Sequence, residues 1–334
     1  VHLVALVHRL DHVCCRYRLS ALRPALAACG HTLELRPLPR GWWQRWALFR
    51  GLAGATVVLQ RRLLPPWQLG VLRNNARRLL FDFDDAVFLR DSYEGRPQQD
   101  VRRMRRFAAT VRACDAVVAG NAWLADHAAR WAGVHRVFLA PTCLDPTGYT
   151  PRPHPGDGNE LVWIGSHSTL NGLAQAAGML ETLGRRFAGL RLKVICDRFP
   201  RFEHLPVRAV AWSAASEAAA LASADVGVSW VPDDQWSRGK CGLKVLQYMA
   251  AGLPVVANPV GVHREMVRHG ETGFFASTEA EWLAAVGRLR ADPALRLRMG
   301  RAGRRLCESA YSVADAAGVW RELLARLDGV LAAA

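Results

Sequence analysis

Short apolar runs recur along this chain, most of them separated from the next by a helical stretch. In the first half the runs are Val1–Val7, Thr32–Leu38, Ala55–Gln60, Leu79–Asp85, Asp115–Asn121 and Arg136–Pro141. In the second they are Leu161–Ser166, Arg191–Asp197, Val207–Trp212, Asp225–Val231, Leu253–Ala257 and Glu271–Phe275. Strands joined through helices pair in parallel with right-handed crossovers, so each half predicts a doubly wound sheet. Between them Pro141–Gly158 is rich in Pro, Gly, Asp and Thr and reads as a linker. One helix is expected over Arg16–Cys29, with Leu19, Leu22, Ala25 and Leu26 inward and Gly30 as its stop. Further helices are expected over Asp100–Arg112, Glu279–Arg290 and Pro293–Cys307, and a last one starts at Ser312, with Asp315 completing a capping pair.

At 334 residues, 51% hydrophobic and 22% charged, the composition is that of a soluble globular protein of one large or two medium domains. No apolar run reaches 18 residues, so no membrane span is expected. The N-terminus enters a strand at once, which is unlike a signal peptide. The eight cysteines are scattered without zinc spacing. A reduced cytoplasmic compartment, no structural metal and no cofactor are the expectation. The net charge of +15 is uneven. Residues 1–150 hold 22 Arg against 11 Asp+Glu; residues 151–334 hold 22 Lys+Arg against 18. Such a balance suits nucleic acid, an anionic membrane or acidic substrates. Nucleic acid is disfavoured, because the basic residues are spread out and no recognition motif is present.

The stretch from Trp236 to Val262 concentrates the chemistry. A basic, glycine-punctuated loop (Arg238, Gly239, Lys240, Cys241) leads into a helix over Gly242–Ala251, with Gly252 as its stop and Leu253–Ala257 as the next strand. The first N–H groups of a helix are unpaired and attract anions. Lys240 precedes the first turn and Lys244 lies in it, where the helix dipole disfavours cations. A bound phosphate removes that conflict. The chain has only three lysines, Lys193, Lys240 and Lys244. Two of them within five residues suggest a diphosphate held by compact ammonium groups, against the alternative of a solvated basic turn.

This stretch resembles the nucleotide-sugar site of retaining glycosyltransferases of family 4, which have the GT-B fold. In many members two glutamates bracket the loop and helix, the second within a Leu-Glu-x-Met-Ala-x-Gly-x-Pro-Val-Val run. Here Leu246-Gln247-Tyr248-Met249-Ala250-Ala251-Gly252-Leu253-Pro254-Val255-Val256 places Gln247 at the second glutamate and Gly239 at the first. The resemblance implies a nucleotide diphosphate sugar as donor and two domains facing a cleft. The domains are an acceptor-side domain over 1–145 and a donor domain over 150–310, with a terminal helix over 311–334 returning to the first domain. It implies transfer of a hexosyl group with retention, without metal, to an unknown glycan, lipid or small-molecule acceptor such as a cell-envelope polysaccharide.

Other candidates follow from the strand ends. Leu80-Phe81-Asp82-Phe83-Asp84-Asp85 ends a strand in carboxylates. Asp84 and Asp85 stand where many family members have a His-Asp pair, and they are the expected catalytic residues; the alternative is a capping loop that pairs with Arg90. Arg16 and Arg18 follow the first strand and are expected on the acceptor or phosphate side, or as surface arginines. Gly165, Ser166, Ser168 and Thr169 form a strand–loop–helix junction compatible with phosphate. The family's Arg and Lys in this loop are replaced by Ser166 and Asn171. Trp212 and Ser213 are base-site candidates by resemblance; the alternatives are a core Trp212 and Ser213 as an N-cap. Trp42, Trp46 and Phe49 share a helical face with Arg45 and Arg50 nearby. Basic and aromatic residues on one helix mark a membrane surface, but an aromatic core face with solvated arginines is preferred. Peripheral association with the inner face of an anionic membrane stays as the alternative. Competing functions are a nucleotide-sugar epimerase of the same fold, a nucleic-acid-binding protein, and a degenerate donor-binding protein without activity.

Overall fold

The computed structural model describes residues 1–151 and 157–329, so part of the expected linker, residues 152–156, lies outside the described residues. The chain divides into two compact units. The first comprises Val1–Leu144, Asp234–Cys241 and the chain from Val313 onward; the second comprises Asp145–Asp233 and Gly242–Ser312. The expected division put Asp234–Cys241 with the donor domain, and the structure places it with the first unit instead.

In the first unit, β1 (His2–Val7), β2 (Thr32–Pro37), β3 (Thr56–Gln60), β4 (Arg78–Phe83), β5 (Ala116–Ala119) and β6 (Val137–Leu139) form one parallel sheet in the order β2-β1-β3-β4-β5-β6. Successive side chains face opposite layers. Val4, Leu6, Phe81 and Phe83 pack with Phe107 on one face, while Leu3, Ala5, Val7 and Leu80 meet Trp320 and Leu323 on the other. Burial on both faces explains why these strands read as continuous apolar runs. The second face is covered by the last helix, Val313–Leu327, whose Leu327 carbonyl accepts from Arg78 Nη2 at 2.9 Å. The helix expected over Arg16–Cys29 is broken into Val13–Arg18, a 3-10 turn at Ser20–Leu22, and Arg23–Ala28. Pro24 is the reason, since it has no N–H to donate and crowds the preceding turn.

The second unit repeats the plan. β7 (Glu160–Ile164), β8 (Arg191–Cys196), β9 (Val207–Ala211), β10 (Val226–Ser229), β11 (Val255–Ala257) and β12 (Gly273–Phe275) run parallel in the order β12-β11-β10-β7-β8-β9. Lys193, one of the three lysines, is buried; its Nζ lies 3.0 Å from Glu160 Oε1 and donates to Ser223 Oγ at 2.7 Å.

Each sheet has a point where the strand order reverses, β1/β3 in the first and β7/β10 in the second, and ligands of such sheets gather at the carboxyl ends there. In the second unit the reversal point has its own fastening. β7 and β10 pair only at Leu161↔Val226 and Val162↔Gly227. One step on, the Tyr248 hydroxyl accepts from Ile164 N–H at 3.2 Å and donates to the Val228 carbonyl at 3.1 Å. Gly227 leaves room for this, because a Cβ there would lie 2.4 Å from the Tyr248 ring. Tyr248→Phe therefore strands a buried N–H and a buried C=O. We expect a loss of roughly 1–3 kcal/mol of stability in urea unfolding; a midpoint equal to wild type would show that the two groups find other partners.

Candidate functional site

In the first unit, the groups expected to do chemistry sort into two buried sets. Arg18 is only 4% exposed. Its Nε and Nη2 donate to Asp82, the shorter contact being 2.6 Å, and Nη1 donates to the Ala140 carbonyl at 2.9 Å. Gln60 Nε2 donates to the same carboxylate at 3.1 Å. Burial works against the guanidinium charge, Asp82 outweighs it, and the Arg18 pKa is raised. The expectation that Arg18 reaches an acceptor or a phosphate is thus corrected: its strand-end neighbour Asp82 takes its charge. Arg16 lies with its guanidinium 5.0 Å from the Tyr17 ring.

Asp84 and Asp85 stand just past β4, and both pair with Arg61 rather than with Arg90. Arg61 Nη1 is 3.3 Å from Asp84 Oδ1, and Nη2 donates to Asp85 Oδ2 at 2.7 Å. Arg90 pairs with Asp100 instead. Arg61 follows β3 and is the one non-glycine with positive φ, 57°, among the described residues. A left-handed non-glycine costs about 1–3 kcal/mol, and two carboxylates offset it. Asp85 also accepts from Ala86 N–H at 3.0 Å and lies 4.0 Å from Lys240 Nζ. Asp84 Oδ1, although it faces Arg61, is buried without a hydrogen bond. Arg61 was not among the expected site residues, although it directly follows an expected strand.

The segment Asp234–Cys241 is fixed in this unit by Asn121, whose Nδ2 donates to the carbonyls of Arg238 at 3.2 Å and Lys240 at 2.9 Å. Lys240 does not stand free before a helix. Its ammonium lies 3.2 Å from the Trp236 ring centre, burial lowers its pKa, and Asp85 opposes that shift. Cys241 is a buried thiol whose pKa burial raises. Gly239 is packed on Ala86, and a Cβ there would lie 2.7 Å from Ala86 Cβ and 2.8 Å from its nitrogen. Glycine stands at the resemblance's first glutamate because this backbone has no room for a side chain.

In the second unit Trp163 of β7 meets Gly165 and Lys244, and Ser229 at the end of β10 meets His263 from the chain after β11. Gly242, the N-cap, takes φ 65°, which a side chain would resist. Lys244 Nζ lies 4.7 Å from the Trp163 ring. The same ring fills the space over Gly165, where a Cβ would come within 2.4 Å of it. Gln247 is buried on the next turn. His263 was not anticipated by the sequence. Its Nδ1 donates to the Asn258 carbonyl at 2.9 Å, so Nε2 accepts from the Ser229 hydroxyl at 3.1 Å. Burial, with the Lys244 charge adding to it, lowers its pKa to about 4.

At the loop after β7, Ser166 N–H donates to Thr169 Oγ1 at 3.1 Å, and Ser166 Oγ pairs with Ser168 Oγ at 2.8 Å. His167 N–H donates to Asp197 at 2.9 Å. Hydrogen bonds from the Cys196 thiol and His167 hold the Asp197 pKa down at about 2. A carboxylate therefore already meets the start of helix His167–Gln175. Trp212 is 42% exposed, which overturns the core alternative, and its Nε1 donates to Glu217 Oε2 at 2.8 Å. Ser213 is not the N-cap; Ser216 is, and Ser213 Oγ accepts from Ser216 N–H at 3.2 Å. No group of His, Cys, Asp and Glu with metal-binding geometry occurs among the described residues.

The buried neutral His263 makes the second unit acid-sensitive. Its folded pKa, about 4, lies below the unfolded value near 6.5. Its contribution is complete above pH 6.5 and is lost as pH falls through 4, since the unfolded chain takes up the proton first. The expected size is about 3 kcal/mol. Urea unfolding of wild type and His263→Gln at pH 7 and pH 4 should show a steeper acid loss in wild type, and parallel losses would refute the assignment.

A family model described as glycosyl transferase-like matches residues 175–322. No curated protein matches the chain. Among solved structures, sucrose-phosphate synthase from Thermosynechococcus elongatus is 16% identical with a TM-score of 0.74, over 99% of each chain. A glycosyltransferase from Rickettsia africae is 12% identical with a TM-score of 0.72, over 98% of each. Anabaena HepE in complex with UDP and glucose is 13% identical with a TM-score of 0.69, over 97% of this chain and 99% of that one. The chain has the GT-B fold, two six-stranded parallel sheets with surrounding helices, and it carries a glycosyl transferase-like domain.

Proposed function

We propose that this chain transfers a hexosyl group, with retention, from a nucleoside diphosphate sugar to an acceptor, as a family 4 glycosyltransferase in the cytoplasm. The observation that carries this is Lys244 in the first turn of Leu243–Ala250, at the reversal point of the second sheet and inside the glycosyl transferase-like match. The helix N–H groups and the ammonium act together on charge that grows on the departing diphosphate, a role that needs no metal. Ser168 and Thr169 lie in the first turn of His167–Gln175, the helix after the adjoining β7, and Gln247 replaces a carboxylate toward the donor. Trp212 and Ser213 are proposed for the base. HepE has been solved with UDP-glucose, which makes a uridine diphosphate hexose the first donor to try.

The first unit takes the acceptor: a glycan, lipid or small molecule. Asp84, just past the carboxyl end of β4, is proposed to take the acceptor hydroxyl proton. Asp85 is the second carboxylate proposed for catalysis, and it also fixes Arg61. A second reading, donor binding without turnover, draws support from Gly239 and Gln247 standing where the family has glutamates.

Calorimetric titration of UDP separates the lysines. A charge-assisted hydrogen bond from Lys244 is worth about 1.5–3 kcal/mol, so Lys244→Ala should weaken binding roughly 10- to 150-fold while the unliganded melting temperature holds. Lys240→Ala should instead lower that temperature, since it removes the contacts to Trp236 and Asp85. Asp84→Asn should keep UDP binding and lose turnover of UDP-glucose in an acceptor screen. Unchanged affinity in Lys244→Ala would move the phosphate site elsewhere. Binding without turnover in wild type, for any acceptor, would favour the second reading.

A further inference from the structure

The preferred expectation for the helix Trp42–Arg50, an aromatic core face, is overturned. Phe49 is buried, but Trp42, Trp43 and Trp46 are 44%, 64% and 37% exposed. The inward side is filled by Phe49 and by Arg45, which donates to the Pro39 carbonyl at 2.6 Å and to Gln68 Oε1 at 3.0 Å. Gln68 belongs to the neighbouring helix Pro66–Asn75, whose Trp67 is also exposed, at 53%. The rings form one cluster: Trp42 and Trp43 centres are 3.5 Å apart, and Trp42 meets Trp67 edge-on at 6.0 Å. Arg50 stacks 4.7 Å over Trp46.

Along the chain the charge of this stretch has a single sign: residues 35–81 contain nine arginines and no Asp or Glu. Arg36, Arg61, Arg73, Arg77 and Arg78 pair with carboxylates from outside it, and Arg40 and Arg50 carry the charge beside the rings. Arg40 and Arg50 are exposed at the two ends of the aromatic helix. Four exposed tryptophans on one surface exceed what scattered surface apolar residues require.

We propose that this face docks on an anionic bilayer surface. Indole rings sit at the headgroup level, where one part of the ring is in contact with lipid and the other with water. Arginine forks bind the phosphates around them. Two modest signals, aromatic insertion and basic attraction, together give stable peripheral binding. The helix lies on the membrane; among the described residues none is long and apolar enough to cross one. A second copy of the chain fits less well, because a two-fold interface would set the same basic face against itself. Single-stranded nucleic acid also fits less well: the rings are bunched against one another rather than spaced along a groove for successive bases. The inference is independent of the transfer reaction, since it concerns only the first unit's surface.

The test is co-sedimentation of the full chain with phosphatidylglycerol–phosphatidylcholine vesicles and with pure phosphatidylcholine. Wild type should bind the anionic vesicles, bind neutral ones far more weakly, and release as salt is raised. Trp43→Ser with Trp67→Ser should lower partitioning at least tenfold, and Arg40→Ser or Arg50→Ser about fivefold each. Phe199→Ser, which removes an exposed aromatic of the second unit, should bind as wild type does. The proposal is overturned if wild type binds neither vesicle, if the tryptophan variant binds undiminished, if single-stranded DNA binds in place of vesicles, or if sedimentation velocity shows a dimer that Trp43→Ser dissolves.

Discussion

The first unit depends on one buried ion pair. Asp82 ends β4 in the middle of the sheet with no access to water, and an isolated carboxylate there would be expensive to bury. Arg18 answers it with two donors and sends a third to the Ala140 carbonyl, while Gln60 at the end of β3 adds a fourth. The carboxyl ends of β3 and β4, the helix after β1 and the chain after β6 are thereby held to one another. Breaking such a pair from one side costs far more than the pair itself contributes. Its position explains the next residues as well. With Asp82 committed inward, Asp84 and Asp85 leave the strand end and meet Arg61, so carboxylates close in sequence take different tasks.

The second unit solves the same problem without charge. Its strands part at the reversal point, and the Tyr248 hydroxyl fills the missing rung. Trp163 then serves as the floor beneath both Gly165 and Lys244. A neutral His263 with both ring nitrogens engaged is what a site containing a lysine can tolerate nearby, since a second cation would be repelled.

The fold was legible because strand and helix periods alternate cleanly and both faces of each sheet are buried, which writes the strands as apolar runs. Pro24 was visible as a helix breaker, yet the apolar spacing around it suggested one helix. What the sequence hid was partnership. Arg18 reads as a surface arginine because its carboxylate is 64 residues away. Lys240 and Lys244 read as a pair because they are four apart, yet the chain leaves one unit and enters the other between them. Gly239 reads as a lost glutamate until Ala86 shows that no side chain fits. Trp42 and Trp46 read as core because tryptophan usually is; only the neighbouring helix, which takes the inward side with Gln68, Leu69 and Leu72, puts them outside.

The helix Val313–Leu327 covers one face of a sheet whose last strand ends at Leu139. A ribosome adds about 5–20 residues per second, so roughly 10–40 seconds separate that strand from its cover. During synthesis Leu3, Ala5, Val7, Leu80 and Val118 wait without Trp320 and Leu323. The second unit, contiguous from Asp145 apart from one short excursion, can close before the first. Order of emergence and order of completion are thus reversed in this chain. The N-terminal unit is the stretch a nascent-chain chaperone would hold longest.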